Sequence, residues 1–297
     1  MHLIKANTMK AKILNIQEFS NYINIDGLKS EDLHIVNFEG KENVRAKSEP
    51  VNIDFYLLAI KPHLNDATKT NSPLMENISD SAYMYVDCPQ NTLEWDITPP
   101  MAGYAIMVSS KYLDKYAKDY SFAHYNNHEA LFLTKDEETI LCDLFKKAYD
   151  EFEKEYYSRT VVISYITLIL TYVRNFYDRQ FDTRSDIYHR VITEFHKHIE
   201  LYFVENENVA GLPSVAYFAQ KSNLSPNYFG DLIKHFTGKA PLDHIQDYVV
   251  ILAKDRLKNT TLSVSEISYS LGFDYPNYFA RFFRKKTGIS PKIYRNQ

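Results

Sequence analysis

The sequence predicts an α+β chain: an antiparallel β-rich N-terminal half, a helical element behind it, and an all-α C-terminal domain with two helix-turn-helix motifs joined by a connecting helix. Three observations predict this. β-branched and aromatic runs fill residues 30–110 between turn-formers, the apolar period becomes helical from Thr134, and a self-similarity at an offset of 50 residues occupies the C-terminal end. A length of 297 residues points to two domains, and an apolar share of 45% excludes a disordered or collagen-like chain.

The strands are read first. Ile35–Phe38, Phe55–Ile60, Tyr83–Val86, Leu93–Ile97 and Tyr104–Val108 are separated by Asp26-Gly27, Glu39-Gly40, Asn71-Ser72-Pro73 and Pro99-Pro100. No helix-period crossover stands between them, so an antiparallel sandwich or barrel is expected rather than a βαβ arrangement. Thr134 with Glu137 then forms a capping-box signature, followed by Leu141, Leu144, Phe145, Ala148 and Phe152 at helical spacing. A second helix is expected from Arg159 to Tyr177. Its apolar surface (Val162, Ile163, Ile166, Ile169, Leu170, Val173) is wider than one stripe and calls for partners on more than one side, including a second subunit. Low helix propensity marks Asp182-Thr183-Arg184-Ser185-Asp186 as a linker. The expected division is residues 1–133 β-rich, 134–181 helical dimerisation or packing element, 182–190 linker, and 191–297 C-terminal domain.

The repeat is the most specific feature. Pro226-Asn227-Tyr228-Phe229 recurs as Pro276-Asn277-Tyr278-Phe279, Thr237-Gly238 as Thr287-Gly288, and Pro241 as Pro291. A short helical segment precedes each copy, Val215–Lys221 and Val264–Leu271. Asn223 and Gly272 then stand where a tight turn needs a residue tolerant of positive φ. Pro226 and Pro276 suit the first position of a helix, where a missing N–H costs nothing. This is helix-turn-helix grammar used twice. Leu242, Ile245, Val249, Leu252, Ala253 and Leu257 form the stripe of a connecting helix near 241–258, about 27 Å long. Such a helix can hold two recognition helices near the ~34 Å spacing of successive major grooves.

In the second helix of each copy, Phe229, Leu232, Ile233 and Phe236, and Phe279, Phe282 and Phe283, mark the buried face. The opposite face offers Asn227, Tyr228, Asp231, Lys234 and His235 in the first copy. In the second it offers Asn277, Tyr278, Arg281, Arg284 and Lys285. Ser225 and Tyr275 at the helix starts, and Lys292, complete the candidate DNA-binding set. Arg pairs bidentately with guanine and Asn with adenine, while Lys supplies charge to phosphate. Charge agrees: residues 212–297 carry 12 Lys and Arg against 6 Asp and Glu, leaving 22 against 32 for the rest of a chain of net charge −4. A basic domain on an acidic body points to double-stranded DNA as a partner of one end only.

From Leu212 to Arg295 the chain resembles the AraC/XylS family of bacterial transcription regulators. The most specific stretch runs from Ser263-Val264-Ser265-Glu266-Ile267 through Leu271-Gly272-Phe273 and Tyr275-Pro276-Asn277-Tyr278-Phe279 to Thr287-Gly288-Ile289-Ser290-Pro291 and Tyr294-Arg295. Lys239-Ala240-Pro241-Leu242 departs from the pattern, which has Ser or Thr before the proline. The resemblance implies a two-motif DNA-binding domain behind a cupin-like β-barrel sensing domain with a helical dimerisation element. It further implies an activator, in contact with RNA polymerase, that responds to a small-molecule effector or partner through the N-terminal domain. A constitutive, ligand-independent regulator is the alternative within DNA binding.

A metal-dependent cupin enzyme is the alternative from another class. It needs several His and a carboxylate converging on one ion. His34 and His63 stand alone among the strands, His124 and His128 flank a loop-like Asn126-Asn127, and His196 and His198 point to different sides of a helix. No Gly-rich phosphate loop, GxSxG elbow or HExxH motif occurs. No catalytic residue, metal ligand or cofactor is therefore assigned. Cys88 and Cys142 form no CxxC pair and suit a reducing cytoplasm. The run Val161–Val173 is short of the ~20 residues of a bilayer span, and residues 1–8 lack the apolar stretch of a signal peptide.

Overall fold

In the computed structural model, which describes residues 13–62, 82–97, 101–117, 120–126, 129–205 and 211–297, the chain divides into two units, Met1–Gln180 and Phe181–Gln297. His63, His128, residues 1–8 and the turns at 71–73 and 99–100 lie outside the described residues.

The β-branched runs of the first unit become strands. They are β1 (Ile13–Leu14), β2 (Leu33–Asn37), β3 (Val51–Ile53), β4 (Phe55–Lys61), β5 (Tyr83–Asp87), β6 (Thr92–Leu93), β7 (Tyr104–Ser109) and β8 (Leu131–Phe132). One sheet, β2-β7-β4-β5-β8, is antiparallel throughout; the other, β1-β3-β6, pairs β1 with β3 in parallel. The expected barrel is corrected to two open sheets. Among the described residues β2 pairs only with β7 and β8 only with β5, so the edges of the large sheet do not meet. Its apolar surface is covered in another way. Val36, Ala105 and Met107 join Ile53, Phe55 and Leu93 in one core with Ile16 and Phe19 of α1 (Ile16–Tyr22). α1 went unread in the sequence, although Asn15 and Glu18 form a complete capping box at its start. Of the Leu93–Ile97 run only Leu93 is strand, paired with Thr92 in β6, and Asp96 makes an isolated bridge to Lys47.

Behind α2 (Ser110–Ala117), the change of period produces α3 (Lys135–Phe152) and α4 (Arg159–Thr183). Thr134 and Glu137 make both bonds of the expected capping box, and the Glu137 carboxylate also receives Arg179 at 2.6 Å. Gln180 is buried and ties α4 to β8: its Oε1 accepts from the Phe132 backbone N–H at 2.8 Å, and its amide donates to the Ala130 carbonyl. Among the described residues α4 is the helix whose length and composition would also suit a bilayer. Val162, Ile166, Ile169, Leu170 and Val173 are instead buried inside the protein.

The linker expected over 182–190 is helical. α4 runs to Thr183, α5 spans Ser185–Glu205, and only Arg184 stands between. Packing overrides the weak propensity of Asp, Thr and Ser here: Phe181 is buried against the rings of Tyr188 and Tyr228, and Asp182 accepts from His235 at 2.7 Å. The second unit is otherwise all helix: α6 (Val215–Lys221), α7 (Pro226–Thr237), α8 (Pro241–Asn259), α9 (Val264–Ser270), α10 (Pro276–Thr287) and α11 (Pro291–Asn296).

Candidate nucleic-acid interface

Each helix pair is built as its residues dictate. Ser214 caps α6 and Ser263 caps α9, the latter with Glu266 completing a capping box. The turns follow at Asn223, φ 54°, and Gly272, φ 87°, both in the left-handed backbone region that a tight turn there requires. Pro226 and Pro276 open α7 and α10, and Gly238 and Gly288 end them in left-handed conformation. α8 has no side-chain cap at Ala240, yet starts at Pro241 as expected and runs roughly 28 Å. Arg256 of α8 donates to the Ser270 carbonyl at the end of α9, and Arg295 of α11 donates to the carbonyls of Leu257 and Leu262. The connecting helix is thus locked to the second motif.

The two candidate faces differ. On α10, Phe279 and Phe283 point inward, while Asn277, Tyr278, Arg281, Arg284 and Lys285 are all exposed. The Arg281 guanidinium lies over the Tyr278 ring at 5.0 Å, and Tyr275, also exposed, meets that ring edge-on. Lys292 is exposed on α11. Lys286 is held differently: its ammonium faces Asp247 of α8 at 3.5 Å, and Asp247 also accepts from Lys239 at 2.9 Å, which holds that carboxyl below its ordinary pKa.

On α7 the candidate set contracts. Asn227 and Lys234 are exposed and Asp231 is half-buried. Tyr228, the counterpart of Tyr278, is only 1% exposed, and its hydroxyl bonds to that of Tyr188 on α5. Ser225 is buried as the cap of α7, its Oγ accepting from the Tyr228 N–H. The His235 ring lies tilted against Phe181 and donates to Asp182. Tyr228 and Ser225 are therefore withdrawn from the groove-facing set: α5 covers Tyr228, which the tetrapeptide repeat makes look equivalent to Tyr278, and the Ser225 hydroxyl is turned inward as the helix cap. One exposed residue was missed: Tyr269 on α9, 54% exposed. The buried Ile267 and Leu271 flank it at helical spacing, which was the available signal.

Among the described residues no group of three His, Cys, Asp or Glu could hold a metal ion. His34 is buried in β2, and the exposed His124 stands 3.0 Å from the Cys88 thiol.

Two helix-turn-helix pairs joined by one long helix define the class of module to which this unit belongs. Residues 218–297 match the family model of a helix-turn-helix domain. Over 83 residues the chain is 32% identical to the "Uncharacterized HTH-type transcriptional regulator YobQ" of Bacillus subtilis (strain 168), covering 28% of this chain and 34% of that protein. Over 81 residues it is 33% identical to the arabinose operon regulatory protein of Escherichia coli (strain K12), covering 27% and 28%. The solved C-terminal domain of AraT, a response regulator from Geobacillus stearothermophilus, is 25% identical, with 36% of this chain and 84% of that one covered at a TM-score of 0.33. The chain spans about a third or less of the length of these two curated relatives. Its C-terminal segment is a helix-turn-helix domain of the AraC/XylS type.

Proposed function

We propose that this chain is a cytoplasmic, sequence-specific DNA-binding transcription regulator, with α7 and α10 entering successive major grooves. The observation that carries this reading is the exposed face of α10, where Asn277, Tyr278, Arg281, Arg284 and Lys285 stand together over a helix anchored by Phe279 and Phe283. These residue types supply bidentate base contacts and phosphate charge. Asn227 and Lys234 make the fewer contacts of α7. The first unit is the sensing and dimerising part: it binds a small-molecule effector or a partner and shifts the population toward the form that engages two half-sites and RNA polymerase.

Dimerisation through α4 is supported by its outer side. Lys111, Tyr112, Arg159, Ile163 and Leu168 border an open groove of about 580 Å³ there. The hydroxyls of Ser164, Thr167 and Thr171 donate to backbone carbonyls of the same helix, so this face is less polar than its composition. Selection of bound duplexes from fragmented genomic DNA, then titration of the winner against scrambled DNA at several salt concentrations, tests the function. A winner held ~10³-fold or more tighter supports it; weak, sequence-blind binding with and without candidate effectors refutes it. Sedimentation that finds only monomer at micromolar concentration, with and without DNA, refutes the dimer.

A further inference from the structure

The structure assigns a site for a transition-metal ion of the Zn²⁺ class to the second unit, between His196 of α5 and His244 of α8, which rests on neither the DNA-binding reading nor the dimer. The two helices bring His196 Nε2 and His244 Nδ1 to 3.3 Å, with ring centroids 5.1 Å apart. A single hydrogen bond between the rings spans this gap. The gap matches the bite of one ion: two Zn–N bonds of about 2.0–2.1 Å at a tetrahedral angle set their nitrogens about 3.3–3.4 Å apart.

The protonation of His244 is arranged for this. Thr237 Oγ1 stands 2.9 Å from His244 Nε2 and also 2.7 Å from the Ile233 carbonyl and 3.1 Å from the Lys239 carbonyl. Its single hydrogen goes to a carbonyl, so Thr237 accepts from the His244 Nε2–H. The lone pair of His244 is left on Nδ1, facing His196. An outer hydrogen bond that sets the tautomer and aims the ligating nitrogen is the usual support of a metal-bound histidine. Phe195 packs against both rings and restricts their orientation.

Imidazole donors select Zn²⁺, Ni²⁺, Co²⁺ or Cu²⁺ over Mg²⁺ and Ca²⁺. Among the described residues no third His, Cys, Asp or Glu converges on the pair, so water completes the coordination and exchanges readily. The bound ion clamps α5 to α8, the helix that joins the two motifs.

The test uses the full chain stripped of metal and titrated with Zn²⁺ alone against a chromophoric chelator, with Co²⁺ absorbance reporting nitrogen ligation. One ion per chain is expected, with a rise in thermal stability on saturation. His196 is exposed, so His196→Gln leaves the fold intact while weakening binding by about tenfold or more; His244→Gln does the same. Unchanged stoichiometry and affinity in His196→Gln would place the ion on other histidines and overturn the proposal. So would a wild-type chain that takes up no Zn²⁺ at ~100 µM, well above the working range of such a site.

Discussion

Tyr228 and Tyr278 occupy matching positions in two identical tetrapeptides, and their substitution by Phe should have opposite consequences. Tyr228 is buried, its hydroxyl bonded to that of Tyr188 and its ring packed edge-on against Phe181. Tyr228→Phe deletes that bond and strips the buried Tyr188 hydroxyl of its partner, a cost of about 1–3 kcal/mol. For a unit of this size the midpoint of thermal unfolding should fall by about 4–12 °C. Tyr278 is half-exposed, its contacts are the cation–π approach of Arg281 and the edge of Tyr275, and Phe preserves its ring. Tyr278→Phe should therefore leave stability unchanged within about 0.5 kcal/mol. Operator affinity reverses the order: at a temperature where both variants are folded, Tyr278→Ala should weaken binding and Tyr228→Phe should not. Circular dichroism melts and operator titration of the full chain measure both. Equal destabilisation by the two Phe variants, or a loss confined to Tyr278→Phe, would refute the assignment of one tyrosine to the core and the other to the groove.

Arg281→Ala and Arg284→Ala should each weaken operator binding by about 1–3 kcal/mol as base contacts, whereas Lys292→Ala should lower affinity evenly across sequences and reduce the salt slope by about 1; titrations at three salt concentrations separate these outcomes. His34 is 5% exposed with neither ring nitrogen partnered among the described residues, and burial holds its pKa at about 4, with Glu153 opposing and Lys41 and Lys29 adding to the shift. The unfolded chain binds the proton first, so stability should fall as pH drops from about 6.5 to about 4, by roughly 3 kcal/mol in all, then level off. Urea midpoints that decline equally in wild type and His34→Leu would deny this. Gly103 has φ 94°, and a Cβ there would stand 2.1 Å from the Ile60 carbonyl oxygen. Gly103→Ala should shift β7 against β4 and lower the thermal midpoint; an unchanged midpoint would mean that the backbone relaxes freely there.

Local chemistry was the legible part. The capping box at Thr134, the prolines opening α7, α8 and α10, and the left-handed turns at Asn223 and Gly272 all depend on residues within a few positions of one another. The helices of the two helix-turn-helix pairs and the exposed basic face of α10 could therefore be read in order. Where a neighbour distant in sequence intervened, the reading failed. The run Leu93–Ile97 has strand composition, yet only Thr92–Leu93 finds a partner strand for more than one bridge. Phe181 and Asp182 have linker-like surroundings, but the rings of Tyr188 and Tyr228 and the His235 side chain draw them into structure.

The sequence by itself determined that two helix-turn-helix pairs form, where the helices of those pairs start, and which end of the chain is basic, because caps, turns and charge are local properties. Only the tertiary structure decided that the described β-strands form two open sheets, and that one copy of Pro-Asn-Tyr-Phe turns its tyrosine inward while the other leaves it in solvent. The physical reason is the same in both cases. Which apolar surface is covered, and by what, depends on elements far apart in the chain: α1 and the small sheet over the large sheet, and α5 over Tyr228 of α7, while Tyr278 stays half-exposed.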